Sequence, residues 1–184
     1  MTLDDALAEM PIIAIIRGVT PEEAVGVGQA LYDAGIRVIE TPLNSPEPFD
    51  SIARLAEAFA GRMVVGAGTV LTVEAVDKVA AAGGRISVSP NTDPAVIGRA
   101  LELGLEPLPG FGSASEAFAA VHAGARRLKL FPASTYGAGH VKALKDVLPK
   151  DVTVMPVGGV GPGQFADWWA AGARGFGMGG DLYK

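Results

Sequence analysis

Apolar residues recur along this chain in short unbroken runs, each followed by a stretch with helical spacing. Ile12-Ile13-Ala14-Ile15-Ile16 is the first such run, and it reads as a strand buried on both faces. It ends at Arg17-Gly18. Thr20-Pro21-Glu22-Glu23 then opens a helix: a cap, a proline at the first helical position, and acids at the positive end of the helix dipole. That helix stops at Ala34-Gly35. The alternation repeats, with strands predicted over 36–40, 63–67, 85–89, 105–109, 126–131, 152–157 and 174–178. The intervening helices start at Ser45-Pro46, Thr72, Asp93-Pro94, Ser113, about residue 139, and Pro162. Ser113 and Glu116 have capping-box spacing. Residues 2–9 form a short leading helix with Thr2 as its cap.

Six of the eight strands follow a helix-ending glycine: Gly35, Gly61, Gly84, Gly104, Gly124 and Gly172. Strand ends recur about every 20 to 30 residues, the length of one strand–helix unit. Eight such units predict an α/β fold, a (β/α)₈ TIM barrel that takes residues 1–184 as a single domain. An open doubly wound sheet is the alternative, and the near-equal units favour closure. An eighth helix is due where the chain stops at Asp181-Leu182-Tyr183-Lys184, so the last helix is read as truncated or absent.

Composition narrows the function classes. The net charge of −5 and the lack of a basic stripe disfavour nucleic acid, whose phosphates need clustered Lys and Arg. With no cysteine there are no disulfides, no thiolate chemistry and no Cys-ligated metal, which is compatible with a cytoplasmic location. No apolar run approaches the roughly 20 residues of a membrane span, and the acidic start Met1-Thr2-Leu3-Asp4-Asp5 is unlike a signal peptide.

In a barrel of this kind the working groups sit at the C-terminal ends of the strands. Here those positions are Arg17, Glu40, Thr69, Pro90, Gly110, Lys129, Gly158-Gly159 and Gly179-Gly180. Lys129 lies in Arg126-Arg127-Leu128-Lys129-Leu130-Phe131-Pro132, and of six lysines it alone interrupts a hydrophobic strand. Leu128 and Leu130 share one face of that strand; Arg127, Lys129 and Phe131 share the other. Burial lowers a lysine's pKa, and a neutral amine is a nucleophile able to form a Schiff base with a ketone. The structural alternative is a strand-end lysine that reaches out to water. Glu40 is either a proton-transfer group or a loop acid in a salt bridge. Arg17 is an anion clamp, a partner that keeps Glu40 ionised, or both. The two glycine pairs make either a phosphate cradle, helped by a short helix start at Asp181, or tight turns with positive φ.

Other features carry less. Gly66-Ala67-Gly68-Thr69 lacks the third glycine of a dinucleotide fingerprint. His122 and His140 stand alone as surface or helix-end residues, and no pair has metal-ligand spacing. Of Trp168 and Trp169, one is expected to pack inward and the other to face a partner subunit.

With these residues placed, the sequence resembles the 2-dehydro-3-deoxy-6-phosphogalactonate aldolases, within the wider 2-keto-3-deoxy-6-phosphogluconate aldolase family. The matching blocks are IIAIIRG (12–18), ETPLNS (40–45), GAGTVL (66–71), SPN (89–91), LKLFP (128–132), VGGV (157–160) and GGDLY (179–183). The resemblance implies a class I aldolase, usually a homotrimer, with no metal or cofactor, acting on a phosphorylated keto-sugar acid and yielding pyruvate. It implies that Lys129 is the Schiff-base lysine and Glu40 the proton shuttle. Thr69, Pro90 and Phe131 would line the pyruvate pocket, Arg17 would bind an anionic end, and Gly158, Gly159, Gly179 and Gly180 would hold the phosphate. Val157 and Asn44 stand where the gluconate-type enzymes are expected to carry Thr and Arg, which points to the galactonate branch. A serine is expected in that branch where Gly180 stands, so one phosphate contact falls to backbone. The rival readings are another phosphate-binding barrel enzyme and a non-catalytic sugar-acid-binding protein.

Overall fold

Helix starts in this chain are written by local side-chain chemistry, and the computed structural model, which describes residues 1–180 and Leu182, shows them doing that work. The leading helix α1 (Leu3–Glu9) is capped by a reciprocal pair: Asp5 N–H donates to Thr2 Oγ1 at 3.1 Å and Thr2 N–H donates to the Asp5 carboxylate at 3.0 Å. The same device opens α2 (Pro21–Asp33), where Thr20 N–H donates to Glu23 at 3.0 Å. It recurs at α6 (Ala114–His122) between Ser113 and Glu116. Each box satisfies amide hydrogens that the first helical turn leaves without partners.

Parallel strands alternate with these helices. The strands are β1 (Ile12–Ile15), β2 (Val38–Pro42), β3 (Val64–Gly68), β4 (Ile86–Val88), β5 (Glu106–Leu108), β6 (Gly110–Phe111), β7 (Arg127–Leu130), β8 (Thr153–Pro156) and β9 (Phe176–Met178). The remaining helices are α3 (Pro48–Ala58), α4 (Val73–Ala81), α5 (Pro94–Glu102), α7 (Ala133–Tyr136), α8 (Ala138–Lys145) and α9 (Phe165–Ala170). Hydrogen bonding orders the strands as two parallel arcs, β5-β4-β3-β2-β1-β9 and β6-β7-β8. A parallel bridge between Val157 and Gly177 links β8's end to β9.

Several expected boundaries move, each for a local reason. The strand expected over 105–109 is divided at Pro109: β5 pairs with β4 and β6 pairs with β7. Pro107 and Pro109 have no N–H to give to a ladder, so the segment can turn from one neighbour to the other. Pro109 still accepts from Lys129 N–H at 2.9 Å. The strand expected over 36–40 starts two residues later. Ile36 N–H bonds back to Leu31, and the Arg37 guanidinium caps Tyr32 O at 2.8 Å. Glu40 is therefore the middle residue of β2 rather than its last. The helix expected from Ser45-Pro46 begins at Pro48, after Glu47 in the left-handed region at φ 38°. The helix expected from about residue 139 is α8, and an unexpected short helix, α7, precedes it across Gly137, which has φ 76°. A 3-10 turn at Pro162–Gln164 precedes α9. The positive-φ glycine after α4 is Gly83, not Gly84. The short helix start at Asp181 falls outside the described residues, as do Tyr183 and Lys184.

Packing separates the two faces of the strands. Leu128 and Leu130, both fully buried, join the cluster that β7 and β8 form with the helices outside them. The opposite face carries Ile13, Val38, Val64, Ile86, Leu108 and Met155, and Leu3 and Ala6 of α1 close this cluster from below. At that lower end Arg127 is held by Asp4 and Glu106. The expected alternation along β7 is thus met: aliphatic residues outward, Arg127 and Lys129 inward. Trp168 is buried and Trp169 exposed, with Arg174 over the exposed ring. No helix of the described residues is long and apolar enough to cross a membrane.

Candidate active site

The inward face of the strands ends, on the C-terminal side, in a cavity of about 450 Å³. Every residue placed at the site from sequence lines it. Lys129 and Phe131 come from β7 and the residue after it, Glu40 from β2, Arg17 from just past β1, and Thr69 and Pro90 from just past β3 and β4. Gly158-Gly159 and Gly179-Gly180 arrive from beyond β8 and β9. Gly110 is the exception among the strand-end positions. It is Lys129's neighbour across the ladder, and a side chain there would run into the Pro90 carbonyl.

Lys129 is 8% exposed and Glu40 is 2% exposed. Beneath them lies an apolar layer that includes Ile13, Val88, Leu108 and Met155. Loss of water disfavours the charged form of each group, so their pKa values move in opposite directions. Burial lowers the Lys129 ammonium, with Glu40 opposing the shift and Arg17 assisting it. Burial raises the Glu40 carboxyl to about 7, with Lys129 and then Arg17 opposing. Arg17 is therefore close enough to bias both. Its charge favours the ionised form of Glu40, and its side chain is exposed at the rim of the cavity. One carboxylate oxygen of Glu40, Oε2, is buried without a hydrogen-bond partner. The Lys129 ammonium lies 5.0 Å from the centre of the Phe131 ring.

The far side of the cavity is backbone. Gly158 and Gly159 have φ values of 90° and 74°, a region that costs glycine little and other residues more. Gly158 backs onto Phe131, and Gly159 onto Ser134. Thr69 holds φ 59°, a strained value for a β-branched residue, and strain of this kind collects at working sites. Gly179 O accepts from Leu182 N–H at 2.8 Å.

Val157 and Gly177 also line the cavity, with Ile15, Val160 and Met178, to which sequence reasoning gave no site role. As aliphatic residues in strand and turn they carry no chemical signal. His140 is half-buried rather than a free surface residue, stacked on Tyr136 and bonded through Nε2 to Gly112 O at 2.8 Å. His122 is exposed, as expected. Among the described residues no three His, Cys, Asp or Glu side chains converge as a metal site would need.

A buried amine and a buried acid with opposed pKa shifts, facing a cavity walled by glycine amides, form the constellation of imine chemistry. Comparison with known proteins agrees. The chain is 47% identical over 176 residues to 2-dehydro-3-deoxy-6-phosphogalactonate aldolase of Escherichia coli strain K12, covering 96% of this chain and 86% of that protein. A solved structure described as native KDPGal superposes with a TM-score of 0.93 at 46% identity, covering 96% of this chain and 85% of that one. The KDPG aldolase of Legionella pneumophila, solved with pyruvate captured at low pH as a covalent carbinolamine, superposes with a TM-score of 0.86 at 27% identity, covering 97% and 86%. Residues 3–183 match the aldolase family described as KDPG and KHG aldolase, and the chain belongs to that family.

Proposed function

We propose that this protein is a class I aldolase that cleaves 2-dehydro-3-deoxy-6-phosphogalactonate to pyruvate and D-glyceraldehyde 3-phosphate. The observation that carries the reading is the Lys129–Glu40 pair, dry beneath and open above, with the amine pushed toward neutrality and the acid raised to about 7. Lys129 Nζ attacks the C2 ketone, and loss of water gives an iminium that withdraws electrons. Glu40, through a water, takes the C4 hydroxyl proton. The C3–C4 bond breaks, its electron pair passes into the enamine of pyruvate, and the aldehyde leaves. Glu40 or its water returns a proton to C3, and hydrolysis frees pyruvate and the amine. Thr69, Pro90 and Phe131 flank the three-carbon end. Arg17 binds an anionic group, and the amides of Gly158, Gly159, Gly179 and Gly180 take the phosphate.

The two arcs of strands are proposed to be one closed (β/α)₈ barrel forming a single domain. The Val157–Gly177 bridge and the continuity of β5 into β6 through Pro109 support this. The family resemblance supports a cytoplasmic homotrimer; a molar mass in solution of one or two chains would remove the trimer.

The galactonate substrate rests on Val157 and Asn44 and on the 47% identity to an enzyme of that name. The C4 epimer, 2-dehydro-3-deoxy-6-phosphogluconate, is the alternative main substrate. Purified protein supplied with each epimer, with lactate dehydrogenase reporting pyruvate, is expected to turn over the galactonate form with the higher kcat/KM. Preference for the gluconate form would reassign the substrate. Binding of both without pyruvate release would leave only a sugar-acid-binding barrel.

A further inference from the structure

The inward face of β3 reads Val64, Gly66, Gly68: two successive inward positions without side chains, beside the strand that carries Glu40. Glu40 pairs in register with Gly66, and its side chain leans on along the sheet toward Gly68. A Cβ built on Gly68 would lie 1.4 Å from Glu40 Oε2 and 2.3 Å from the carboxyl carbon. No other contact to a side-chain atom from a glycine Cβ among the described residues is as close. The clash is with a carboxylate that cannot swing aside cheaply, since Glu40 is 2% exposed and sits on an apolar floor. Backbone freedom does not explain this glycine, because its φ lies outside the left-handed region that favours glycine.

We infer that Gly68 is a positioning residue for the reaction: the space of its missing side chain is the seat of the Glu40 carboxyl. This rests on the proposed proton-shuttle role of Glu40. The seat fixes where the carboxylate stands relative to the amine on β7. In that seat Oε2 has no hydrogen-bond partner among the protein's atoms. Proton transfer depends steeply on heavy-atom distance, so a carboxylate displaced by a methyl group loses reach while the amine across the cavity keeps its own.

The test uses pyruvate alone. In the forward half-step the Lys129 iminium of pyruvate loses a methyl proton from C3 to the Glu40 carboxylate, giving the enamine. Return of a deuteron from solvent labels the methyl group. For Gly68→Ala, borohydride trapping of pyruvate on Lys129 is expected to stay within about twofold of wild type, while methyl exchange falls by about a hundredfold or more, the scale of a lost general acid–base group. The acid limb of the exchange rate should also move to lower pH, because the displaced carboxylate is better hydrated. Exchange at the wild-type rate with an unmoved limb would overturn the inference, and so would equal loss of trapping and exchange.

Folding is controlled by a second comparison. The drop in thermal midpoint caused by Gly68→Ala should largely vanish when Glu40→Ala is also present, because the two changes share one space. An equal drop in both backgrounds would mean that Gly68 seats something other than the carboxyl. If wild type itself fails to trap pyruvate at Lys129, the aldolase reading fails rather than this one.

Discussion

Lys129→Ala is expected to fold, to bind the phosphorylated sugar acid, and to release no measurable pyruvate. Removal of a covalent nucleophile costs roughly four to six orders of magnitude in turnover, because the remaining groups act only in concert with it. The reason lies in the burial of β7. A lysine at 8% exposure over an apolar floor loses hydration of its ammonium, and the nearby Arg17 charge adds to that cost. Burial therefore shifts the amine toward its neutral form, and only that form attacks a ketone. Wild-type protein treated with pyruvate and borohydride should gain one covalent adduct, located by mass on Lys129. Labelling that persists in Lys129→Ala would assign the imine to another amine. Among the described residues, the other lysines lie outside those that line the cavity.

Glu40→Gln is expected to keep imine formation in part and to slow cleavage by about 10² to 10⁴, the usual range for one general acid–base group. Gln fills the same seat but takes no proton. The pH dependence follows from the direction of the shift. The Glu40 carboxyl has its ordinary value of 4.5 raised to about 7 by burial, so cleavage by wild type should fall off below a limb near 7, where the acid holds its proton. The same shift acts on stability with a definite sign. A folded-state pKa above the unfolded one favours folding fully below about 4.5, and that contribution is lost as pH rises through about 7. Gln is neutral throughout and escapes the loss. At pH 8 the variant should therefore resist denaturant at least as well as the parent while being far slower. Wild-type turnover in Glu40→Gln would move the proton to another group. A variant that is both slow and less stable at pH 8 would point to a structural role for the acid.

Much of this arrangement was readable in the order of residues. Glycine stops, Ser/Thr caps and unbroken aliphatic runs are local signals, and a repeat of eight amplifies them. Leu128 and Leu130 alternate with Arg127, Lys129 and Phe131, and that alone put the lysine on the face opposite the leucines; the packing of the strands decided that its face is the inward one. The boundary errors share one origin. Glu40 was placed at the end of its strand because Ile36 and Arg37 look like strand residues, yet both are engaged by the loop closing α2. The strand at 105–109 looked continuous because proline's missing donor shows its effect only when two different neighbours compete for the same segment.

Period and punctuation along the chain determined the kind and order of the main elements, and chemical type determined which single lysine and which single acid were worth following. What those side chains experience was decided in three dimensions. Nothing in ETPLNS says that its glutamate is 2% exposed, nor that the second glycine of GAGT stands where the carboxyl needs room. Hydration, and with it the pKa of a buried group, depends on the atoms that replace water, and those come from other strands, distant along the chain.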